Sequence, residues 1–173
     1  KLLAALLLAA FAAVGASAQM TYDVSATYAQ PLGDFGDACD LGYGVQGDAF
    51  YALPSMPNLG VGGRLGWTRF SYESDLLDDE NFSTLEILPS ARYSFTPAEA
   101  QFGFFGQAGL GLYRGSTSVG GADAETDVGF SVGGGASGKF TDTASFVVMP
   151  LYHWVNTEVK ATTYLSFSFG VLF

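Results

Sequence analysis

The sequence predicts an all-β fold in which eight antiparallel strands, connected up and down, close into a barrel. Three observations predict it. Apolar and polar residues alternate with a period of two along most of the chain from residue 20 onward, as they do in strands that face two different environments. Segments rich in turn-forming residues separate the alternating stretches. These connecting segments alternate between longer and shorter, which is typical of barrels with long loops at one end and short turns at the other.

The alternation divides the chain into eight predicted strands, at about residues 20–30, 42–53, 61–70, 84–95, 102–114, 128–140, 145–155 and 163–173. Each strand has one apolar face and one face that is mostly polar or small. On the first four strands the second face carries Asp23, Ser25 and Thr27, then Gln46 and Asp48, then Arg64 and Thr68, then Glu86, Ser90 and Arg92. On the last four it carries Gln107, Gly109 and Gly111, then Ser131, Gly133, Ser137 and Lys139, then Val147, Met149 and His153, then Tyr164, Ser166, Ser168, Gly170 and Leu172.

The connections between these strands fall into two classes. The longer ones are predicted at 31–41, 71–83, 115–127 and 156–162, and the shorter ones at 54–60, 96–101 and 141–144. Because the strand count is even, both ends of the barrel chain are expected on the side of the short turns. The longer connections are then expected together at the opposite rim.

Residues 1–18 do not share the alternation and are predicted to be a secretory signal peptide. Lys1 supplies a positive charge, residues 2–14 an apolar core, and Ala16-Ser17-Ala18 a cleavage site of small residues. Cleavage is expected between Ala18 and Gln19, and a buried core helix is the alternative interpretation. The expected organisation is a signal peptide at 1–18 and one barrel domain at 19–173.

Composition argues against several classes of function. Of 173 residues, 49% are apolar and 14% are charged, and 17 acids against 7 bases give a net charge of -10. This charge repels a polyanion, so no nucleic-acid partner is predicted. The chain has one cysteine, Cys39, and one histidine, His153, so neither an intrachain disulfide nor a multi-histidine metal site is possible. No cofactor is predicted.

Alternation alone does not say which face of the barrel is outside. A soluble lipocalin-like barrel also alternates, with its apolar face inside. Here the polar face is rich in Gly, Ser and Thr, which fit the crowded interior of an eight-stranded barrel. Its charges also balance, with three acids and three bases, and buried charges need partners: Asp23, Asp48 and Glu86 against Arg64, Arg92 and Lys139. We therefore predict a transmembrane barrel with an interior charge network and an apolar outer wall.

Three segments carry a family resemblance. The terminal YLSFSFGVLF resembles the signal that the outer-membrane assembly machinery reads, with alternating apolar residues before a final aromatic: Leu165, Phe167, Phe169, Val171 and Phe173. TYAQPLGDFGD (27–37) and LYHWV (151–155) are similar to segments of the outer membrane protein beta-barrel domain family. The chain thus resembles the OmpA-like and OmpX-like eight-stranded barrels. The resemblance implies a porin-like protein of the Gram-negative outer membrane, exposed at the cell surface and assembled by that machinery.

His153 is the candidate residue for catalysis. One eight-stranded relative, a lipid A deacylase, uses a His-x-Ser-Asn motif, and the corresponding residues here read His153-Trp154-Val155-Asn156. Val155 takes the place of the serine and cannot act as a nucleophile. A histidine bonded into the interior polar network is the favoured interpretation.

Most of the acids fall in the longer connections. They are Asp34, Asp37, Asp40, Glu73, Asp75, Asp78, Asp79, Glu80, Asp123, Glu125, Asp127 and Glu158. A divalent-cation site that bridges to lipopolysaccharide phosphates is one interpretation, but no EF-hand spacing occurs. A solvated surface is the favoured one, so no metal site is predicted.

The function predicted from these features is non-enzymatic. The barrel is expected to serve a structural or surface-interaction role, through adhesion by its loops or contact with lipopolysaccharide. The alternatives are a narrow pore, an outer-membrane lipid-modifying enzyme and a secreted lipocalin-like binder. The predicted partners are outer-membrane lipid and, during biogenesis, the assembly machinery, and the protein is expected to be a monomer.

Overall fold

In the computed structural model, residues 20–72, 80–97, 100–118, 123–157 and 160–173 are described. They form a closed barrel of eight antiparallel strands in sequence order, with the last strand hydrogen-bonded to the first. The strands are β1 (Met20–Leu32), β2 (Cys39–Leu53), β3 (Met56–Tyr72), β4 (Asn81–Ser94), β5 (Phe102–Thr117), β6 (Glu125–Lys139), β7 (Ser145–Asn156) and β8 (Thr162–Leu172). The predicted fold class is confirmed. Within the described ranges, no helix is long and apolar enough to cross a membrane.

The connections at 33–38, 73–80, 118–124 and 157–161 share one end of the barrel, which we call the outer end. The connections at 54–55, 95–101 and 140–144 share the other, which we call the inner end. Closure gives every strand two neighbours, so that no sheet edge is exposed. This is the condition that a hydrocarbon environment imposes on β-structure.

Several predicted connections are too long, because the strands beside them extend further than predicted. Residues 54–60 were expected to form a turn, yet β3 begins at Met56 and only Pro54 and Ser55 connect it to β2. Pro57 lies near the start of β3, a position in which a strand tolerates proline. The first outer connection is likewise 33–38 and not 31–41, and it contains a one-turn 3₁₀ helix (Gly33–Phe35).

The polar face of the sheet points into the barrel. On β1, Asp23, Ser25 and Thr27 are buried, whereas Val24 and Tyr28 are exposed. The same arrangement holds on β7, where Val147, Met149, Leu151, His153 and Val155 alternate inward. A lipocalin-like binder would have the opposite orientation, so this alternative does not describe the chain. The outer wall is a band of exposed apolar side chains with aromatic residues towards both ends, as in outer-membrane barrels.

Large apolar side chains fill the lumen at two levels, and the sequence pattern placed only some of them, such as Met149 and Tyr164, on the inward face. Nearer the outer end, a cluster that we call the aromatic plug consists of Ala29, Cys39, Phe70, Leu88, Tyr113, Val155 and Tyr164, with Phe35, Tyr72 and Phe82 packed against it. Nearer the inner end, a second cluster consists of Phe105, Val147, Met149 and Leu151, with Leu172 beside it. The barrel interior is therefore packed, as expected for eight strands.

Gly62 and Gly63 are neighbours on β3 that differ in the space around them. A Cβ atom at Gly62 would lie 1.8 Å from the Ala49 carbonyl oxygen, whereas the nearest atom to one at Gly63 is 3.4 Å away. We expect Gly62→Ala to lower the free energy of unfolding by about 1–3 kcal/mol, because β2 must shift away from β3. Gly63→Ala is the matched control and is expected to change it by less than about 0.5 kcal/mol. Equal effects in urea unfolding of the two variants in detergent would contradict the close approach of β2 and β3 at Gly62.

Candidate functional site inside the barrel

The structure places five of the six residues of the predicted interior charge network inside the barrel. These are Asp23, Asp48, Arg64, Glu86 and Arg92, all of them buried. The prediction that Lys139 lies in the interior is wrong, because Lys139 is the last residue of β6 and is exposed at the inner rim. An inward position in the alternation is buried only where neighbouring strands surround it. At the end of a strand, a long lysine side chain reaches water.

Asp48 is the hub of an inner charge cluster, which consists of Asp23, Asp48, Arg64, Arg92 and Gln107. Arg64 donates to both Asp48 oxygens, from Nε at 3.0 Å and from Nη2 at 3.1 Å. Gln107 Nε2 donates to Asp48 Oδ1 at 2.9 Å. Two parallel bonds to one carboxylate are the strongest geometry that arginine forms. The Asp48–Arg64 pair is cross-strand on β2 and β3, so the register itself positions it.

Arg92 completes this cluster from the opposite wall. Its Nη2 lies 2.6 Å from Asp23 Oδ2 and 3.9 Å from an Asp48 oxygen. Asp23 and Asp48 are direct cross-strand partners on β1 and β2, and like charges in that position repel. The guanidinium carbon of Arg92 also lies 4.4 Å from the centre of the Phe50 ring and 4.5 Å from that of Phe105. Arg92 therefore bridges two acids while it is held between two aromatic rings.

A second group, the outer polar cluster, adjoins the aromatic plug and shares Tyr113 and Tyr164 with it. It consists of Glu86, Tyr113, His153, Tyr164 and Ser166, all of them buried. His153 Nδ1 lies 3.3 Å from Glu86 Oε2 and 3.1 Å from the Tyr113 hydroxyl. The His153 ring stacks on Tyr164 at 4.3 Å. His153 rather than Lys139 is thus the third basic side chain that faces the three interior acids.

Glu86, His153 and Ser166 have the hydrogen-bond order of a catalytic triad. Ser166 Oγ lies 2.9 Å from His153 Nε2, on the side of the ring opposite to Glu86. Ser166 is 1% exposed, however, and the space beside it, which Gln46 and Thr68 help to line, has no room for a water molecule. A nucleophile needs a substrate within about 3 Å. The geometry of these three side chains is therefore that of an enclosed hydrogen-bond chain.

The remaining predicted features fall into three groups. Leu165, Phe167, Phe169 and Val171 lie along β8 and Phe173 directly follows it, with Phe169 and Phe173 exposed on the outer wall. Their recognition by assembly machinery stays a prediction. Cys39 is buried in the aromatic plug. The predicted cleavage site at Ala18 and Gln19 lies outside the described residues, as do Glu73, Asp75, Asp78, Asp79 and Glu158. Among described residues, no three His, Cys, Asp or Glu side chains are grouped to hold a metal ion.

Comparison with known proteins bears on the family and the fold. The model of the outer membrane protein beta-barrel domain family matches residues 2–173. Neisserial surface protein A is 21% identical over 88% of this chain and 95% of its own, with a TM-score of 0.69. The attachment invasion locus protein of Yersinia pestis is 16% identical over 90% and 98%, with a TM-score of 0.56. The N-terminal β-barrel domain of Pseudomonas aeruginosa OprF is 13% identical over 88% and 97%, with a TM-score of 0.51. No curated protein sequence matches the chain.

Proposed function

Because the chain belongs to the outer membrane protein beta-barrel domain family of the bacterial outer membrane, we propose that it is a non-conducting, non-enzymatic barrel with a structural and surface-interaction role. The observation that carries the proposal is the packed lumen. Apolar clusters occupy both levels of the interior, and paired charges pack against the inner one. Such a barrel offers its outer wall and outer connections to partners, rather than a passage.

A narrow pore is the alternative that a barrel first suggests. It needs a continuous aqueous path, which is present in barrels of 16 or more strands and absent when side chains fill eight. Arg92 reaches a carboxylate across the lumen, Arg64 pairs with one on the neighbouring strand, and Phe70 and Tyr164 pack edge to face above them. These contacts favour a closed interior.

The lipid-modifying enzyme has less support from the residues present. Val155 points inward and is buried at the position where the deacylase motif needs its serine. Ser166 has a histidine partner but no space for a substrate. Both observations favour a structural role for His153.

The surface role has support from the kind of protein that the chain resembles in fold. One of these relatives is named for its surface location and another for attachment and invasion. The outer connections of this chain carry acids such as Asp34 and Asp37, and Asp40 lies at the adjoining start of β2. A partner that binds these connections should therefore be uncharged or basic, since an acidic one is repelled.

Planar-bilayer recording of the purified protein tests the closed lumen. We expect no steady conductance steps, because the aromatic plug and the inner charge cluster leave no continuous water path. A 16-stranded porin recorded in the same bilayer is the positive control. Stable steps of uniform size from the folded protein would overturn the proposal and favour the narrow pore.

A further inference from the structure

Two arginines of the outer wall have no role in the closed lumen. The chain has seven Lys and Arg residues. Arg64 and Arg92 lie inside, and the exposed Lys160 pairs with Asp34 at 3.0 Å. Arg69 on β3 and Arg114 on β5 occupy outward positions of the strand alternation near the outer end.

Both arginines lie just beyond the apolar band of the wall. Arg69 is two residues outward of the exposed Trp67, and Arg114 is two residues outward of the exposed Leu112. Tyr43, also exposed, is the cross-strand partner of Arg69. An arginine on the lipid face is costly at the bilayer midplane but nearly free at the interface. The two guanidinium groups therefore lie at the height of the outer-leaflet headgroups.

The register brings the two arginines close enough to share one ligand. A single strand, β4, separates them: Arg69 pairs with Ser83, and Arg114 pairs with Leu85, two residues away on the same face. Strand spacings of about 4.8 Å and a rise of about 3.3 Å per residue put the two Cα atoms about 12 Å apart. Arginine side chains span that separation when both turn towards one headgroup.

The chemistry between the two arginines suits an anion. Within the described part of the chain, neither arginine forms an ion pair, and outward hydroxyls flank them on Ser83, Ser116 and Thr126. Guanidinium groups bind phosphate oxygens with two parallel hydrogen bonds, and hydroxyls add further donors. We call Arg69 and Arg114 the wall patch.

The position of the wall patch also specifies what the anion is attached to. Leu85, the cross-strand partner of Arg114, lies beside it, and the exposed apolar side chains of Leu112 and Val128 lie directly inward. A ligand that contacts both the arginines and these apolar side chains has a phosphorylated headgroup and acyl chains that lie along the outer wall. We propose that the wall patch binds the phosphate groups of a lipopolysaccharide molecule in the outer leaflet, an inference that rests on the proposed surface-interaction role and identifies one partner of it.

The test compares lipids that differ only in phosphate. The purified protein and an Arg69→Gln/Arg114→Gln variant are folded in detergent and titrated with bisphosphorylated lipid A, dephosphorylated lipid A or inorganic phosphate, and binding is followed by the unfolding temperature. The buffer contains EDTA, because the outer rim also carries Asp40, Glu80 and Glu125, to which divalent cations would bridge phosphates. Lys139→Gln/Lys160→Gln is the matched control, since it removes two positive charges elsewhere.

We expect bisphosphorylated lipid A to stabilise the native protein and the control variant equally. Each lost arginine is expected to weaken its binding about fivefold, and the double variant about thirtyfold, since a basic residue near an anionic lipid surface contributes about 1 kcal/mol. Equal binding by the double variant would overturn the inference. Equal stabilisation by dephosphorylated lipid A would also overturn it, because the contact would then be through acyl chains only. Equal stabilisation by inorganic phosphate would overturn it as well, because the site would then bind any small anion.

The two proposals fail in different ways. Steady conductance in the bilayer recording would contradict the proposed closed lumen, and it would leave the arginine dependence of lipid A binding unchanged. Arginine-independent lipid A binding by a non-conducting barrel would remove only the wall patch.

Discussion

Replacing Arg92 by methionine is expected to lower the free energy of unfolding by about 3–5 kcal/mol, among the largest effects of any single change in this barrel. Methionine keeps a flexible stem between the Phe50 and Phe105 rings, so the change removes mainly the charge. The loss leaves Asp23 buried without its ion-pair partner and directly opposite Asp48. Urea unfolding in detergent or lipid vesicles, followed by tryptophan fluorescence, measures the effect.

Two further variants identify the cause of that loss. Lys160→Met breaks the exposed pair with Asp34 and is expected to cost less than about 1 kcal/mol. Adding Asp23→Asn to Arg92→Met should restore much of the lost stability, because it removes the stranded carboxylate. If Arg92→Met and Lys160→Met had equal effects, or the second change restored nothing, charge pairing inside the lumen would not account for the stability of the barrel.

Truncating Phe70 to alanine is expected to cost about 3–5 kcal/mol as well, by a different mechanism. Phe70 is fully buried in the aromatic plug, with its ring centre 5.0 Å from that of Phe35 and 5.4 Å from that of Tyr164. A Cβ at Gly42, its cross-strand partner, would lie 2.6 Å from the Phe70 ring. The glycine thus leaves the space that the ring occupies, so removing the ring opens a cavity there.

Phe169→Ala is the matched control for the plug, because Phe169 is an exposed phenylalanine on the outer wall. Lipid or detergent replaces its contacts, so a clearly smaller loss is expected. We also expect Phe70→Ala to remain non-conducting, because the inner charge cluster still closes the lumen. Steady conductance in this variant would mean that the plug alone seals the barrel, and an equal loss in the two variants would mean that the plug contributes no more to stability than a lipid-exposed ring does.

Residue patterns along single strands were enough to predict the fold and its orientation. Alternation with a period of two follows from the two faces of a strand, so Val24 and Ser25 already indicate a sheet between two environments. The Gly, Ser and Thr content of one face, with its balanced charges, indicated that this face is the crowded interior. Both inferences depend on local chemistry, and for this reason they needed no knowledge of which strands pair.

Contacts between distant parts of the chain required the tertiary structure. Arg92 reaches Asp23 across 69 residues, and His153 meets Glu86 only because the barrel closes. Phe70 and Tyr113 also point inward, against the simple division into polar and apolar faces, because a packed lumen accepts aromatic rings. Lys139 belonged to the polar face by its position in the alternation, yet the strand ends there and its side chain is exposed. Which side chains pair, and which are enclosed in the lumen, depends on the register, stagger and closure of the strands. These are properties of all eight strands together and cannot be read from any one strand.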